Sequence, residues 1–153
     1  MKGICPICED FRDIEVISKS EITKVKGIEV ETFAHYSICT DCNNEFYTSE
    51  QMDETLTNAF NEYRKIENII FPGDIINIRE KYGVSQKAFA KILDLGELTI
   101  NSFEQGSLPS KSISNLIKFM EKKDNFIDLF QRNRHKLTKL QITKIEYKLS
   151  EKD

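Results

Sequence analysis

Four cysteines constrain this chain more than any other feature. They stand as two pairs, Cys5-Pro6-Ile7-Cys8 and Cys39-Thr40-Asp41-Cys42, with 30 residues between them and no cysteine left over. A CxxC places two thiolates on one tight turn, within reach of a single tetrahedral ion, and a hairpin between the pairs would bring the turns together. The pattern predicts one zinc per chain, bound by Cys5, Cys8, Cys39 and Cys42. Rubredoxin-type iron sites use nearly the same spacing, so an electron carrier is an alternative. A dithiol redox pair is another, although no βαβ pattern surrounds either CxxC. A catalytic zinc fits less well, because four thiolates leave no position open for water. His35, close to the second pair, is a possible substitute ligand. The chain has no apolar run of about 18 residues, and residues 1–20 lack a signal peptide's apolar centre. It therefore reads as cytoplasmic, without a membrane partner, and a reducing compartment argues against disulfides among these thiols.

The stretch between the pairs supplies the hairpin. Residues 14–18 and 28–33 alternate apolar and polar side chains as half-buried strands do, and Lys26-Gly27 reads as the turn. Residues that follow a CxxC often need positive φ, which Asn43 tolerates. A helix is expected from Ser49, read as its cap, with Met52, Leu56, Phe60 and Tyr63 at helical spacing. Ile69-Ile70-Phe71-Pro72-Gly73 interrupts that pattern and marks a boundary near residue 70.

Beyond it the chain reads as short helices with glycines at the breaks. Gly83 suits a left-handed C-cap, and Ser85 can cap the next helix through Ala88, Phe89, Ile92 and Leu93. A third helix is expected over 97–104, with Ile100 and Phe103 on one face, and a fourth carries Ile113, Leu116, Ile117 and Met120. Residues 126–130 and 137–149 read as a helical tail. The expectation is an α+β protein: a small zinc-bound β-hairpin domain over 1–70, an all-helical domain over 71–123, and a basic tail over 124–153.

Helices of this length and order suit a helix-turn-helix domain. Gln86, opening the first helix of the motif, is placed to bond a phosphate. With Ile100 and Phe103 turned to the core, Glu97, Leu98, Asn101 and Ser102 lie nearer the exposed side, where polar side chains can read base edges. Charge complicates this. Residues 1–70 hold seven Lys/Arg against fourteen Asp/Glu, residues 72–108 hold four against five, and residues 109–153 hold eleven against six. Lys87, Lys91 and the tail must supply the phosphate contacts on which affinity rests. No Ser/His/Asp set, phosphate loop or HExxH motif occurs, His135 sits in a basic segment, and no catalytic centre is expected.

The two cysteine pairs, Val25-Lys26-Gly27-Ile28, and Asn43-Asn44-Glu45-Phe46-Tyr47 after the second pair resemble the zinc finger of the MqsA/YgiT antitoxin family. Tyr82-Gly83-Val84-Ser85-Gln86 through Phe103-Glu104-Gln105-Gly106 resembles that family's C-terminal helix-turn-helix of the XRE type. The resemblance implies an antitoxin whose zinc domain engages a cognate toxin and whose helical domain dimerises on operator DNA and represses it. Two departures stand out. The family usually has Gly where this chain has Asn43, and it commonly carries Arg on the recognition helix, at positions matched here by Leu98 and Ser102. The runner-up is a protein-interaction adaptor with a degenerate helix-turn-helix.

Overall fold

The structure, a computed structural model, describes residues 1–151. Two compact units divide the chain, one over Met1–Ile66 and the other from Glu67 onward.

The first unit is an antiparallel sheet followed by a helix. Strands β1 (Lys2–Cys5), β2 (Asp10–Val25), β3 (Ile28–Cys39) and β4 (Glu45–Phe46) lie in sequence order across the sheet. The β2–β3 hairpin turns at Lys26 (φ 49°) and Gly27 (φ 82°), the positive pair that a two-residue turn needs to match the strands' twist. Its ladder runs from Val25↔Ile28 to Ile14↔Cys39. Both strands are longer than their apolar alternation predicts. Residues 19–24 are mostly polar, yet cross-strand pairing with 29–34 holds them in the sheet.

Helix α1 spans Ser49–Glu67. Its cap is not Ser49, as expected, but Thr48. The Gln51 amide donates to Thr48 Oγ1 at 3.1 Å, while the Thr48 amide donates to Gln51 Oε1 at 2.9 Å. This reciprocal box needs a Gln or Glu three residues after the cap, which Thr48 has and Ser49 lacks. Ala59 and Tyr63 are buried, but Met52 and Leu56 stay exposed.

The second unit contains α2 (Pro72–Lys81), α3 (Gln86–Ile92), α4 (Thr99–Glu104), α5 (Lys111–Phe119), α6 (Lys123–Asn133), a 3₁₀ turn (Arg134–Lys136) and α7 (Lys139–Ser150). Pro72 opens α2 rather than merely breaking the chain, since its missing N–H would be unpaired there anyway. Ser85 caps α3 as expected, accepting from the Ala88 amide. Thr138 forms a second capping box with Gln141. Helix α4 begins at Thr99, two residues later than expected, because the Thr99 amide bonds Gly96 O in a preceding turn.

One core unites these helices. Phe89, Ile92, Ile100 and Ile117 are buried together with Phe126, Phe130 and Ile145. The Tyr82 and Phe126 rings stack at 3.9 Å, and the Tyr82 hydroxyl donates to Met120 O at 2.5 Å, so this aromatic keeps its polar end satisfied.

Candidate metal centre and helical face

Two knuckles carry the cysteines. Cys5 ends β1 and Cys39 ends β3, and each is followed by a tight turn that the chain closes by hydrogen bonding back: Glu9 N to Cys5 O and Asn43 N to Cys39 O, both 2.8 Å. The residue after each pair has positive φ, 57° at Glu9 and 60° at Asn43. Asn43 behaves as expected, while Glu9 shows that even a residue with no liking for this region adopts it when the knuckle requires. The Cys8 amide turns toward Cys5 Sγ at 3.3 Å.

The four Sγ atoms lie within 4.8 Å of one another and could hold a metal ion. Cys5 and Cys42 approach to 3.6 Å, and Cys8 and Cys39 to 4.0 Å, far beyond the roughly 2.05 Å of a disulfide. Cys5 and Cys39 are wholly buried and Cys8 and Cys42 half-buried. Backbone N–H donation from Asn44, then its side chain, pulls the Cys42 thiol down to about 6. Contact with Cys42, followed by burial and the other thiols, pushes Cys8 up to about 12. Four thiols this close cannot all ionise without a cation among them.

Arg12 stands beside the cluster, and sequence reasoning missed it. Its Nη1 meets Asp10 Oδ2 and its Nε meets Asp41 Oδ2, both at 2.9 Å, so one guanidinium ties the strand after the first knuckle to the turn of the second. Three charged residues scattered over 10–41 give no sequence signal until the sheet pairs them. His35 is not in the sulfur cluster; its Nδ1 lies 2.8 Å from Glu54 Oε1.

In the second unit, α3, α4 and the turn between them carry the other expected site residues, with Lys87, Glu97, Leu98 and Ser102 exposed and Gln86 and Asn101 half-buried. Leu98 is 73% exposed and Ser102 is exposed, while Ile100 and Phe103 are buried beneath them. Internal bonds engage most of the polar groups. Ser102 Oγ donates to Ser107 Oγ at 2.7 Å, and the half-buried Asn101 accepts from Gln105 at 3.3 Å. Lys87 Nζ pairs with Glu97 Oε1 at 2.9 Å, which holds the Glu97 carboxyl below its usual range. Gln86 donates to Glu104 Oε1 at 3.1 Å, and Arg79 grips Glu104 through two bonds of 2.8 and 3.0 Å. Glu104 is thus neutralised inside the unit and adds no repulsive charge to the exposed face.

Among the described residues, no helix is long and apolar enough to cross a membrane. The class these features define is an α+β protein with a four-cysteine cluster that could hold a metal ion in its sheet and a separate helical unit. Over residues 2–131 the chain matches the family described as the antitoxin component of a bacterial toxin-antitoxin system, MqsA, and it belongs to that family. Membership implies a toxin partner. No curated protein matches the chain.

Proposed function

We propose that this antitoxin is a zinc-binding, DNA-binding transcriptional regulator of the type II class, cytoplasmic and not an enzyme. In this reading it acts as a homodimer that meets its toxin through residues 1–70. DNA is held by residues 71–123, with phosphate contacts added by the basic tail over 124–153.

The sulfur geometry supports zinc. At a Zn–S distance of about 2.3 Å, four thiolates at tetrahedral corners stand about 3.8 Å apart. Two of the six separations, 3.6 and 4.0 Å, lie on either side of that value, and all six are within 4.8 Å. Bound by Cys5, Cys8, Cys39 and Cys42, the ion would offset half of the four thiolate charges and lock the two knuckles, with no open position for chemistry.

The observation that carries the DNA-binding reading is the outward face of α4 and the turn before it. Leu98, Asn101 and Ser102 stand away from the core that Ile100 and Phe103 enter, with α3 and Gln86 alongside. Fluorescence anisotropy with the gene's own upstream DNA tests it. Saturable binding is expected at low salt, strengthened by Ser102→Arg.

A second reading, a protein-interaction adaptor, is favoured by one feature. Residues 96–106 hold no Lys or Arg, and two of the cations beside them are already paired, Lys87 with Glu97 and Arg79 with Glu104. If neither the wild type nor Ser102→Arg binds upstream DNA, the adaptor replaces the regulator.

A further inference from the structure

The first unit holds a recess of about 420 Å³ between the hairpin and α1. Its floor is Ala59, with Leu56 and Met52 beside it and Tyr47 as an aromatic wall. Glu21 of β2 and Asp53 of α1 contribute two carboxylates. Thr32 also lines it: only 3% exposed, with an Oγ1 that has no hydrogen-bond partner. A buried hydroxyl without a partner costs free energy, and few folded proteins tolerate many of them.

We propose that this recess receives one cationic side chain of a partner protein, an arginine above all. Neither carboxylate is ion-paired among the described residues: the polar contact of Glu21 is a long one, 3.5 Å from the Tyr47 hydroxyl. Neighbouring acids differ. Glu45 closes on Lys19 at 2.7 Å and Glu54 on His35 at 2.8 Å. Two uncompensated carboxylates around an apolar floor suit a group that is aliphatic along its stem and charged at its tip. The chain already houses such a side chain next door. Lys19 runs over the Tyr36 ring, 5.0 Å from its centroid, and ends on Glu45, and Tyr36 in turn packs against Tyr47 at 4.4 Å. Tyr47 offers the same kind of ring to an incoming cation. Burial first, then the charge of Glu21, pushes its phenol up, so it meets the guest as a neutral hydroxyl.

A partner protein fits better than a free metabolite because the rim is apolar and open. Met52 is 60% and Leu56 55% exposed. An anchor pocket ringed by apolar contacts that exclude water is how interfaces concentrate binding energy on single arginines. The inference does not depend on that partner being the toxin.

The zinc-loaded full chain is titrated with Nα-acetyl-arginine N-methylamide, and the NMR signals of Thr32, Thr55 and Met52 are followed. Saturable shifts confined to the recess are expected, weakened at least tenfold in the Glu21→Gln/Asp53→Asn double variant and absent with the neutral citrulline analogue. Thr32→Val separates binding from folding. It removes an unsatisfied hydroxyl, so it should melt no lower than wild type yet bind the arginine probe several-fold more weakly. Absent saturation, or unchanged binding in the double variant and in Thr32→Val, overturns the proposal. So does agmatine binding tenfold more tightly than the blocked arginine, which would give the recess to a free amine.

Discussion

At the cysteine end of the sheet, Ile14 is buried with Cys5 and Cys39, and Cys8, Cys42 and Phe46 pack partly against them. The helical unit buries Phe89, Phe126, Phe130 and a set of isoleucines in one continuous cluster. The first unit also leaves Ile4, Phe11, Ile22 and Phe33 each more than 60% exposed. The cysteine end encloses few apolar side chains, the situation in which small domains with little buried surface rely on a staple. The helical unit needs no such staple. Caps at Ser85, Ser110 and Thr138 start α3, α5 and α7, and the aromatic stack anchors α6.

That contrast is most open to attack through the metal. Chelation should unfold residues 1–66 and leave the helical unit's spectrum nearly unchanged, because structural zinc contributes an apparent ~10–16 kcal/mol to small finger peptides. Heteronuclear NMR before and after chelator reads this directly, and Cys39→Ser should reproduce it. Simultaneous loss of signals from both units, or iron in place of zinc on elemental analysis, would break the comparison.

Truncating the aromatic stack tests the other side. Phe126 is fully buried between Tyr82 and Phe130, so Phe126→Ala should destabilise the helical unit by about 3–5 kcal/mol. Denaturant unfolding measures it, and zinc affinity should not change. A cost below about 1 kcal/mol would mean that α6 merely covers a core complete without it.

The Arg79–Glu104 pair sharpens the picture further. With side chains 17% and 6% exposed, it is mostly removed from solvent. Arg79→Met would strand the Glu104 carboxylate and cost about 3 kcal/mol, whereas removing both charges together should cost less. A double-mutant cycle separates the two.

The smallest expected effect lies at the exposed Lys87–Glu97 pair. Glu97→Gln should leave the melting temperature unchanged and free Lys87 for a phosphate, steepening the salt dependence of DNA binding by about 0.9 in log–log slope. An unchanged slope would remove Lys87 from the proposed interface.

The sequence by itself determined the cysteine cluster, the hairpin turn at Lys26-Gly27 and the alternation of apolar faces, because each depends on residues close together in the chain or on fixed spacing. It also carried the family, through motifs in order over most of the chain. Tertiary structure alone decided the rest. Arg12 bridges Asp10 and Asp41 only once β2 has paired with its neighbours. Glu104, counted from sequence as a charge against DNA, is turned inward by Arg79, 25 positions earlier. Met52 and Leu56 have helical spacing yet line an open recess, because periodicity assigns a residue to a face of its helix and only the opposing strands decide whether that face is covered. Glu21, Asp53 and Thr32 meet for the same reason: the register that sets Glu21 opposite Thr32 belongs to the hairpin, and no local pattern announces it.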